Sequence, residues 1–213
     1  MTNSGHTACL IFGTFNPLTI AHVNMSAIAK RTLPDADVIY IPAKNRFLRS
    51  WKGLDNRAIL DDKIRLGLIR EAFCGTDYVS VSSVEIDGLT DGRTYNTIRY
   101  FRDEKGYDDI YLCFGTDKVA ELHTWYRGPE IIRENRFLIL TRGQGLSEAM
   151  TEETAMYRDN FIEVPCDMPS VSATMVREAC QKGELDRVKD FLPSNVYDYL
   201  KQNSAYAKNS KMG

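Results

Sequence analysis

The chain has 213 residues, of which 43% are hydrophobic, and a formal net charge of −2. This length predicts one well-packed domain and is short for two. The nearly balanced charge gives no sign of the basic surface that a dedicated nucleic-acid binder needs.

The cysteines and the N-terminal segment predict a cytoplasmic protein. The number of cysteines is odd, and their spacing fits neither a zinc site nor a redox pair, so we expect reduced thiols. They are Cys9, Cys74, Cys113, Cys166 and Cys180. No signal-peptide pattern and no apolar run of ~18 residues is present, so neither secretion nor membrane binding is expected.

Apolar strands alternate with amphipathic helices along the chain. Short apolar runs are typical of strands buried on both faces, and apolar residues at helical spacing are typical of helices packed on a sheet. In chain order, the first half is predicted to contain strands over Ala8–Phe12, Val38–Pro42 and Val79–Ile86, a helix after Pro17, a basic loop over 43–56, a helix over about 56–73 capped by Asp55, and a helix over 95–104.

The second half of the chain continues the alternation. It is predicted to contain strands over Ile110–Phe114, Phe137–Leu140 and Phe161–Val164, a helix carrying Val119 and Leu122, a linker between the last two strands, and C-terminal helices from about residue 172, broken at Gly183 and Pro193, the last of them capped by Ser194. Residues 205–213 are expected to be a disordered tail.

This pattern predicts a single α/β domain over 1–213. We expect a Rossmann-like, doubly wound and mostly parallel sheet with helices on both faces. In such sheets ligands bind beyond the carboxyl ends of the strands, near the point where the strand order reverses.

The loop that follows the first strand has the residues of a phosphate-binding loop. Gly13 allows a close approach to the backbone, Pro17 fixes the turn, and the amides at the helix N-terminus attract an anion. His22 lies in the first helical turn, within reach of a phosphate oxygen. The spacing fits equally well an ordinary turn in which His22 caps or packs. The glycine patterns of a P-loop and of a dinucleotide site are absent, which counts against a dehydrogenase.

A second helix N-terminus, Pro169–Arg177, carries hydroxyl groups followed by an arginine. On its own it indicates a helix capped by Ser172, with Val176 in the core and Arg177 in solvent. Combined with the first loop, it indicates a second anion site at which Thr174 and Arg177 bind phosphate. Two such sites suit a triphosphate better than one.

The two motifs together resemble the signatures of the nucleotidyltransferase superfamily. Gly13–His22 is similar to Gly-x-Phe-x-Pro-x-Thr/His-x-x-His, and Val171–Arg177 to Ile-Ser-Ser-Thr-x-x-Arg. Further segments resemble the nicotinate and nicotinamide mononucleotide adenylyltransferases, and the resemblance covers nearly the whole chain. These segments are Thr94–Thr97, Gly115–Asp117, Thr124–Tyr126, Leu140–Arg142 and Leu192–Leu200.

The resemblance implies adenylyl transfer from ATP to a pyridine mononucleotide, with release of pyrophosphate and with Mg²⁺ carried largely by ATP. It implies catalytic roles for Thr19, His22 and Arg177. It assigns ATP to Gly13, Thr14, Phe15, His22, Gly115, Asp117, Ser172, Thr174 and Arg177, and the mononucleotide to Asn16, Thr94, Tyr95, Trp125 and Arg142.

Several positions leave alternatives open. Asn16 and Thr19 resemble eukaryotic nicotinamide mononucleotide enzymes, whereas the Trp125 segment resembles bacterial enzymes, so nicotinate mononucleotide is the predicted acceptor and nicotinamide mononucleotide the alternative. Trp125 also fits a core position, and Asp117 a helix cap. Ala21 replaces a frequent glycine of the family pattern, and Ala173 replaces its second serine.

The remaining alternatives concern the reaction and the partners. A transferase that acts on pantetheine phosphate or a flavin nucleotide, or a non-catalytic nucleotide-binding domain, would share the two motifs. A homo-oligomer is compatible with the sequence. A basic cluster in the loop over 43–56 fits either a solvated surface or a flap over the acceptor phosphate; it consists of Lys44, Arg46, Arg49 and Lys52, around Trp51.

Overall fold

The computed structural model describes residues 5–46, 59–143, 145–167, 169 and 171–206. Within these residues, parallel strands form one sheet in the order β3-β2-β1-β4-β5-β6. The strands are β1 (Thr7–Gly13), β2 (Asp37–Pro42), β3 (Val79–Val81), β4 (Asp109–Gly115), β5 (Arg136–Thr141) and β6 (Phe161–Pro165). The predicted doubly wound fold is confirmed, and its order reverses between β1 and β4.

Helices cover both faces of the sheet. One face packs against α1, α2, α7 and α8, and the opposite face packs against α3, α4 and α5. The helices are α1 (Ile20–Thr32), α2 (Asp62–Ala72), α3 (Thr94–Asp103), α4 (Gly128–Glu134), α5 (Leu146–Ala149), α6 (Glu152–Ala155), α7 (Ala173–Lys182) and α8 (Ser194–Gln202). Among the described residues, no helix has both the length and the apolar character needed to cross a membrane.

The central strands form the core because their side chains point alternately to two covered faces. In β1, Cys9 and Ile11 pack on the α1 face, whereas Ala8 and Leu10 pack on the α3 face. All four side chains are fully buried. Burial on both faces explains why this strand appears in the sequence as a continuous apolar run rather than as an alternating one.

Two elements between β3 and α4 differ from the sequence prediction. Strand β3 ends at Val81 instead of Ile86, because residues 83–89 fold into a tight turn in which the amide of Asp87 donates to the carbonyl of Ser83. The helix predicted around Val119 is absent, and short 3-10 turns over Thr116–Lys118 and Leu122–Thr124 take its place.

Helix α4 and the helices of the β5–β6 linker did not stand out in the sequence. Helix α4 begins at Gly128, which packs so closely on the preceding turn that an added Cβ would lie 2.3 Å from the carbonyl oxygen of Leu122. The predicted linker between the last two strands contains α5 and α6. These helices have only four to seven residues, which is too short for a reliable periodicity.

The N-terminal boundaries of two helices also differ from the sequence prediction. Helix α2 begins at Asp62 with Asp61 as its N-cap, whereas the predicted cap Asp55 lies outside the described residues. Pro193, not Ser194, is the N-cap residue of α8. The prediction that α7 is capped by Ser172 and stops at Gly183, whose φ is +73°, is confirmed.

The start of the predicted disordered tail is packed against the protein. Tyr206 is 7% exposed and belongs to the core on the α1 face. The prediction therefore does not hold at this residue, and residues 207–213 lie outside the described part of the chain.

Candidate active site

The loop between β1 and α1 is shaped by the packing of Phe15. This residue has a φ of +43°, a region that few non-glycine residues adopt. The centroid of its buried ring lies 5.2 Å from the ring centroid of His22 and 5.4 Å from that of Tyr40. A Cβ on Gly13 would lie 2.7 Å from the Phe15 ring. Glycine is therefore required at position 13, and the buried ring of Phe15 is not available to a ligand.

His22 is fixed in one tautomer by the cap of helix α1. The backbone N–H of Thr19, the N-cap residue, donates to Nδ1 of His22 at 3.1 Å, and the Thr19 hydroxyl lies 2.9 Å from the same nitrogen. Because Nδ1 accepts, the proton of the neutral ring is assigned to Nε2. The predicted capping role of His22 is confirmed at Nδ1. Nε2–H remains as a donor, and its contact with a phosphate oxygen stays a prediction.

His22 stays neutral at physiological pH. Burial of the ring, assisted by the positive charge of Arg142, lowers its pKa from 6.5 to about 4. Arg142 follows β5 and is exposed, so the carboxyl end of β5 brings a guanidinium close to the phosphate loop. The site therefore combines a neutral N–H donor with a nearby cation.

Arg65 binds the backbone of the phosphate loop from the buried side. This role was not predicted from the sequence. Its side chain is completely buried, and its Nη1 donates to the carbonyl of Thr14 at 2.6 Å. Its Nη2 donates to the carbonyl of Ala43 at 2.6 Å and also binds the side chains of Asn45 and Asp62. The loops after β1 and β2 are thus joined through one guanidinium. The only signal in the sequence was an arginine among the apolar residues of a helix.

Asn16 joins the two sequence motifs. Its carbonyl oxygen accepts from Nη1 of Arg177 at 2.8 Å across 161 positions of sequence. Its side-chain oxygen accepts from the amide of Leu60 at 3.0 Å and from the hydroxyl of Tyr206 at 2.6 Å. Asn16 is 0% exposed, so its predicted direct contact with a mononucleotide has no structural support. It connects parts of the site instead.

Helix α7 presents its N-terminus to the same region. The Ser172 hydroxyl accepts from the amide of Met175 at 3.2 Å, as expected for an N-cap. Exposed Thr174 accepts at its hydroxyl from Nη2 of Arg177 at 2.9 Å. Arg177 is half-buried between Asn16 and Thr174, rather than extended into solvent. The two predicted anion sites are therefore in contact through Arg177.

Trp125 lies on the other face of the sheet, at the end of the 3-10 turn after β4. It is half-buried, and its ring centroid lies 6.0 Å from that of Phe114. The neighbouring Tyr126 is 47% exposed and meets Tyr95 edge to face at 6.2 Å. The Trp125 segment and the start of α3 are thus in contact, as a shared binding surface requires.

Two cation–π pairs strengthen this contact. The guanidinium of Arg93 lies 4.3 Å from the ring centroid of Tyr126, and that of Arg127 lies 5.0 Å from Tyr95. Each pair joins a residue near the start of α3 to one beside Trp125. Helix α3 begins at Thr94, and its N-cap residue, Arg93, makes no side-chain cap hydrogen bond.

The carboxyl end of β4 contributes a glycine and a carboxylate. A Cβ on Gly115 would lie 2.7 Å from an oxygen of Asp117, so glycine leaves room for this carboxylate to fold back over the strand end. Asp117 is exposed, and its other oxygen lies 3.5 Å from the amine of Lys118. This loop and the phosphate loop flank the crevice at which the strand order reverses.

An open cavity of about 640 Å³ lies beyond the carboxyl ends of β5 and β6. Its walls include Thr141, Arg142, Glu163, Cys166 and Asp167. Arg142 therefore borders the cavity and also acts on His22, which links the cavity to the phosphate loop.

The basic loop is described only in part. The amine of Lys44 lies 3.4 Å from the position of a Cβ on Gly88, at the turn that follows β3. Exposed Arg46 is also described, whereas Arg49, Trp51 and Lys52 lie outside the described residues. The choice between a solvated surface and a flap stays a prediction.

A family model described as cytidylyltransferase-like matches residues 10–179 of the chain. The chain belongs to the cytidylyltransferase-like family. The match spans both phosphate motifs, so the predicted family resemblance is confirmed. Thr19 contacts His22 in the first motif and Thr174 contacts Arg177 in the second, and Arg177 joins the two motifs by donating to the carbonyl of Asn16.

Curated relatives extend over almost the full chain. A probable nicotinate-nucleotide adenylyltransferase of Clostridium perfringens is 26% identical over 200 residues, covering 92% of this chain and 96% of the relative. A protein of the same description from Listeria welshimeri is 26% identical over 205 residues, covering 95% and 98%.

Solved structures share the fold. The nicotinic acid mononucleotide adenylyltransferase of Plasmodium falciparum, in complexes with APC and with NaAD, has a TM-score of 0.70, with 16% identity and coverage of 94% of this chain and 97% of that chain. A putative nicotinate-nucleotide adenylyltransferase from Vibrio parahaemolyticus has a TM-score of 0.63 at 18% identity, covering 96% and 97%. At this identity the likeness supports the architecture.

Proposed function

We propose that the protein transfers an adenylyl group from ATP to nicotinate mononucleotide, forming the dinucleotide and pyrophosphate. The observation that carries this proposal is the contact between Arg177 and Asn16, which joins two anion-binding helix N-termini into one site. The names of the curated relatives, which align over nearly the full chain, support the same reaction.

In this reaction the 5′-phosphate of the mononucleotide attacks the α-phosphorus of ATP, and the bond to the β-phosphate breaks. Two anions must be brought in line, so positioning and charge stabilisation supply most of the acceleration. Nε2–H of His22 donates to the α-phosphate, and the cation of Arg142 stabilises the charge that develops there. Thr174, Arg177 and the backbone of Gly13–Phe15 bind the β- and γ-phosphates.

The remaining surfaces suit the nucleoside parts of the two substrates. The cavity beside Arg142 has room for the adenosine of ATP. Gly115, at the end of the neighbouring strand β4, is paired with Leu140 of β5, and Asp117 follows it. Trp125 offers a ring face on which a pyridine can stack, and the first turn of α3, at Thr94 and Tyr95, lies against the same segment.

The start of α3 favours an acid over an amide on the pyridine ring. The N-cap residue, Arg93, makes no side-chain cap hydrogen bond, which leaves the amides of the first helical turn and the positive end of the dipole for an anion. The carboxylate of Asp91 lies just before this turn, where it accepts from the backbone N–H of Arg93 and from the side chain of Asn96. The carboxylate of nicotinate carries a negative charge that the carboxamide of nicotinamide lacks. This difference supports nicotinate mononucleotide as the preferred acceptor.

We assign Mg²⁺ to the phosphate oxygens of ATP. When bound there, the ion supplies charge neutralisation to the phosphates. In the part of the chain that the structure describes, no group of three His, Cys, Asp or Glu side chains is arranged to hold a metal ion.

The test is an incubation of the protein with ATP, Mg²⁺ and one acceptor at a time, followed by measurement of pyrophosphate. The acceptors are nicotinate mononucleotide, nicotinamide mononucleotide, pantetheine phosphate and flavin mononucleotide. We expect the highest kcat/KM with nicotinate mononucleotide. Faster turnover of pantetheine phosphate or flavin mononucleotide would refute the acceptor, and no pyrophosphate with any of them would identify a non-catalytic nucleotide-binding domain.

A further inference from the structure

The carboxyl-terminal segment of the chain reaches back to the phosphate loop. Tyr206, four residues after the end of α8, has a φ of +63° and is 7% exposed. Its hydroxyl donates to the side-chain oxygen of Asn16 at 2.6 Å, across 190 positions of sequence. The last described residue of the chain thus touches the residue that joins the two phosphate motifs.

Both oxygens of Asn16, in its side chain and in its backbone carbonyl group, accept hydrogen bonds. The side-chain oxygen of Asn16 accepts from Tyr206 and from the amide of Leu60, while its carbonyl oxygen accepts from Arg177. Because these hydrogen bonds anchor the side chain, they limit the displacement of the Asn16 Cα and of the carbonyl group attached to it. That carbonyl group is one of two acceptors that hold the Arg177 guanidinium, the other being the hydroxyl of Thr174.

The hydroxyl of Tyr206 is also suited to donate at every working pH. Burial raises its pKa above the ordinary value, although the nearby positive charges of Arg177 and Arg65 act in the opposite direction. The phenol therefore keeps its proton, and an acceptor must be provided for it inside the protein. Asn16 provides that acceptor.

We propose that Tyr206 is a positioning residue of the adenylyl-transfer site, which holds the guanidinium of Arg177 in place through Asn16. The inference rests on the proposed function, since the value of a positioned Arg177 is its contact with the triphosphate. Tyr206 itself touches no substrate. Its ring packs in the core on the α1 face, whereas its hydroxyl donates to the side chain of Asn16.

The variant that tests this role is Tyr206→Phe, which keeps the ring and removes only the hydroxyl. We expect kcat/KM for ATP to fall about tenfold, the size of one lost hydrogen bond to a polar partner, with little change in KM for the mononucleotide. The matched control is Tyr197→Phe, which removes a hydroxyl of α8 that binds Asp186 and Lys201 instead of Asn16. This control should retain wild-type kinetics.

A double-mutant cycle separates positioning from general stability. If Tyr206 acts through Arg177, Tyr206→Phe has no further effect on kcat/KM for ATP in an Arg177→Ala background. An equal loss in both backgrounds, or wild-type kinetics of Tyr206→Phe, would overturn the proposal. Thermal melting of every variant reports any change of stability separately.

The inference can fail independently of the proposed function. If the wild-type protein forms no pyrophosphate, ATP binding is measured by calorimetric titration of the same variants. A loss of ATP affinity in Tyr206→Phe that disappears in the Arg177→Ala background would retain the positioning role at a nucleotide-binding site. Equal affinities of the wild-type protein and Tyr206→Phe, or no ATP binding by the wild-type protein, would reject it.

Discussion

The guanidinium of Arg65 donates to the carbonyl oxygen of Thr14 at 2.6 Å, although the two residues are 51 positions apart. Through this contact a fully buried cation supports the backbone that the proposed triphosphate approaches. The same side chain also binds the carbonyl of Ala43, so its loss would free acceptors in two loops at once.

We expect Arg65→Met to lower the free energy of unfolding by about 3–5 kcal/mol, because four acceptors lose a buried, charged donor. Arg65→Lys should retain part of the stability, since a lysine keeps the charge but not the forked geometry. We also expect KM for ATP to rise in the lysine variant. Urea denaturation and initial-rate kinetics measure the two effects.

The control for Arg65 lies on the same helix. Arg70 is exposed in the last turn of α2, so Arg70→Met removes a charge without removing buried hydrogen bonds. Its free energy of unfolding should change by less than about 0.5 kcal/mol. Similar losses in the two methionine variants would show that the buried contacts of Arg65 contribute little.

The sequence predicted the parts of the structure that depend on local pattern. Strand β1 is a continuous apolar run that ends at Gly13, so the strand and the position of the loop after it could be located. That this loop binds phosphate stays a prediction. The pairing of this loop with Arg177 followed from the second motif. These predictions succeed because a buried strand and a helix N-terminus are each defined by a few consecutive residues.

The sequence could not predict contacts that depend on the tertiary fold. Two of the acceptors of Arg65 are backbone carbonyl groups in two different loops. A pattern of side chains does not show where such backbone groups lie. The sequence predicted a disordered tail that includes Tyr206, because no residue near it in the sequence indicates its hydrogen bond to Asn16. The alternation in Val79–Ile86 similarly concealed a turn that buries Glu85.

His22 can be tested with a variant that preserves the helix cap. In His22→Glu, the carboxylate of a glutamate at this third helical position can accept from the Thr19 amide, as in a capping box, and it has no hydrogen to donate to a phosphate. We expect turnover to fall by ~100-fold, comparable to the loss of one oxyanion donor. The measurement is kcat with both substrates at saturation.

The companion variant His22→Ala removes the cap as well as the donor. It should lose a similar amount of turnover and, in addition, about 1 kcal/mol of stability. If His22 is only structural, His22→Glu will retain wild-type turnover, and His22→Ala will be less stable without a corresponding loss of kcat.

Trp125 should affect the two substrates unequally. Removing the ring in Trp125→Ala is expected to raise KM for the mononucleotide by about tenfold, the scale of one aromatic stacking contact, with a smaller change in KM for ATP. Trp125→Phe keeps an aromatic face and should recover most of the affinity. Equal changes in the two Michaelis constants would argue that Trp125 only packs against Phe114.

The buried carboxyl group of Glu85 should leave a pH signature in the stability. Glu85 is 3% exposed, and its side chain accepts from the hydroxyl of Thr97 at 3.0 Å. Burial raises its pKa from 4.5 to about 7. Between these two values the unfolded chain loses the proton while the folded protein keeps it. The contribution of Glu85 therefore lowers the free energy of unfolding as the pH rises through this window.

His22 titrates in the opposite sense. Its pKa falls from 6.5 to about 4 on folding, so its contribution raises the free energy of unfolding as the pH rises between these values. The two contributions oppose each other in the range that they share. We therefore expect Glu85→Gln to steepen the rise of stability with pH over this range, measured by urea denaturation at several pH values. Glu148→Gln, which removes the carboxylate of an exposed glutamate of α5, is the control variant. A Glu85→Gln slope equal to that of the wild-type protein would mean that Glu85 does not hold its proton on folding.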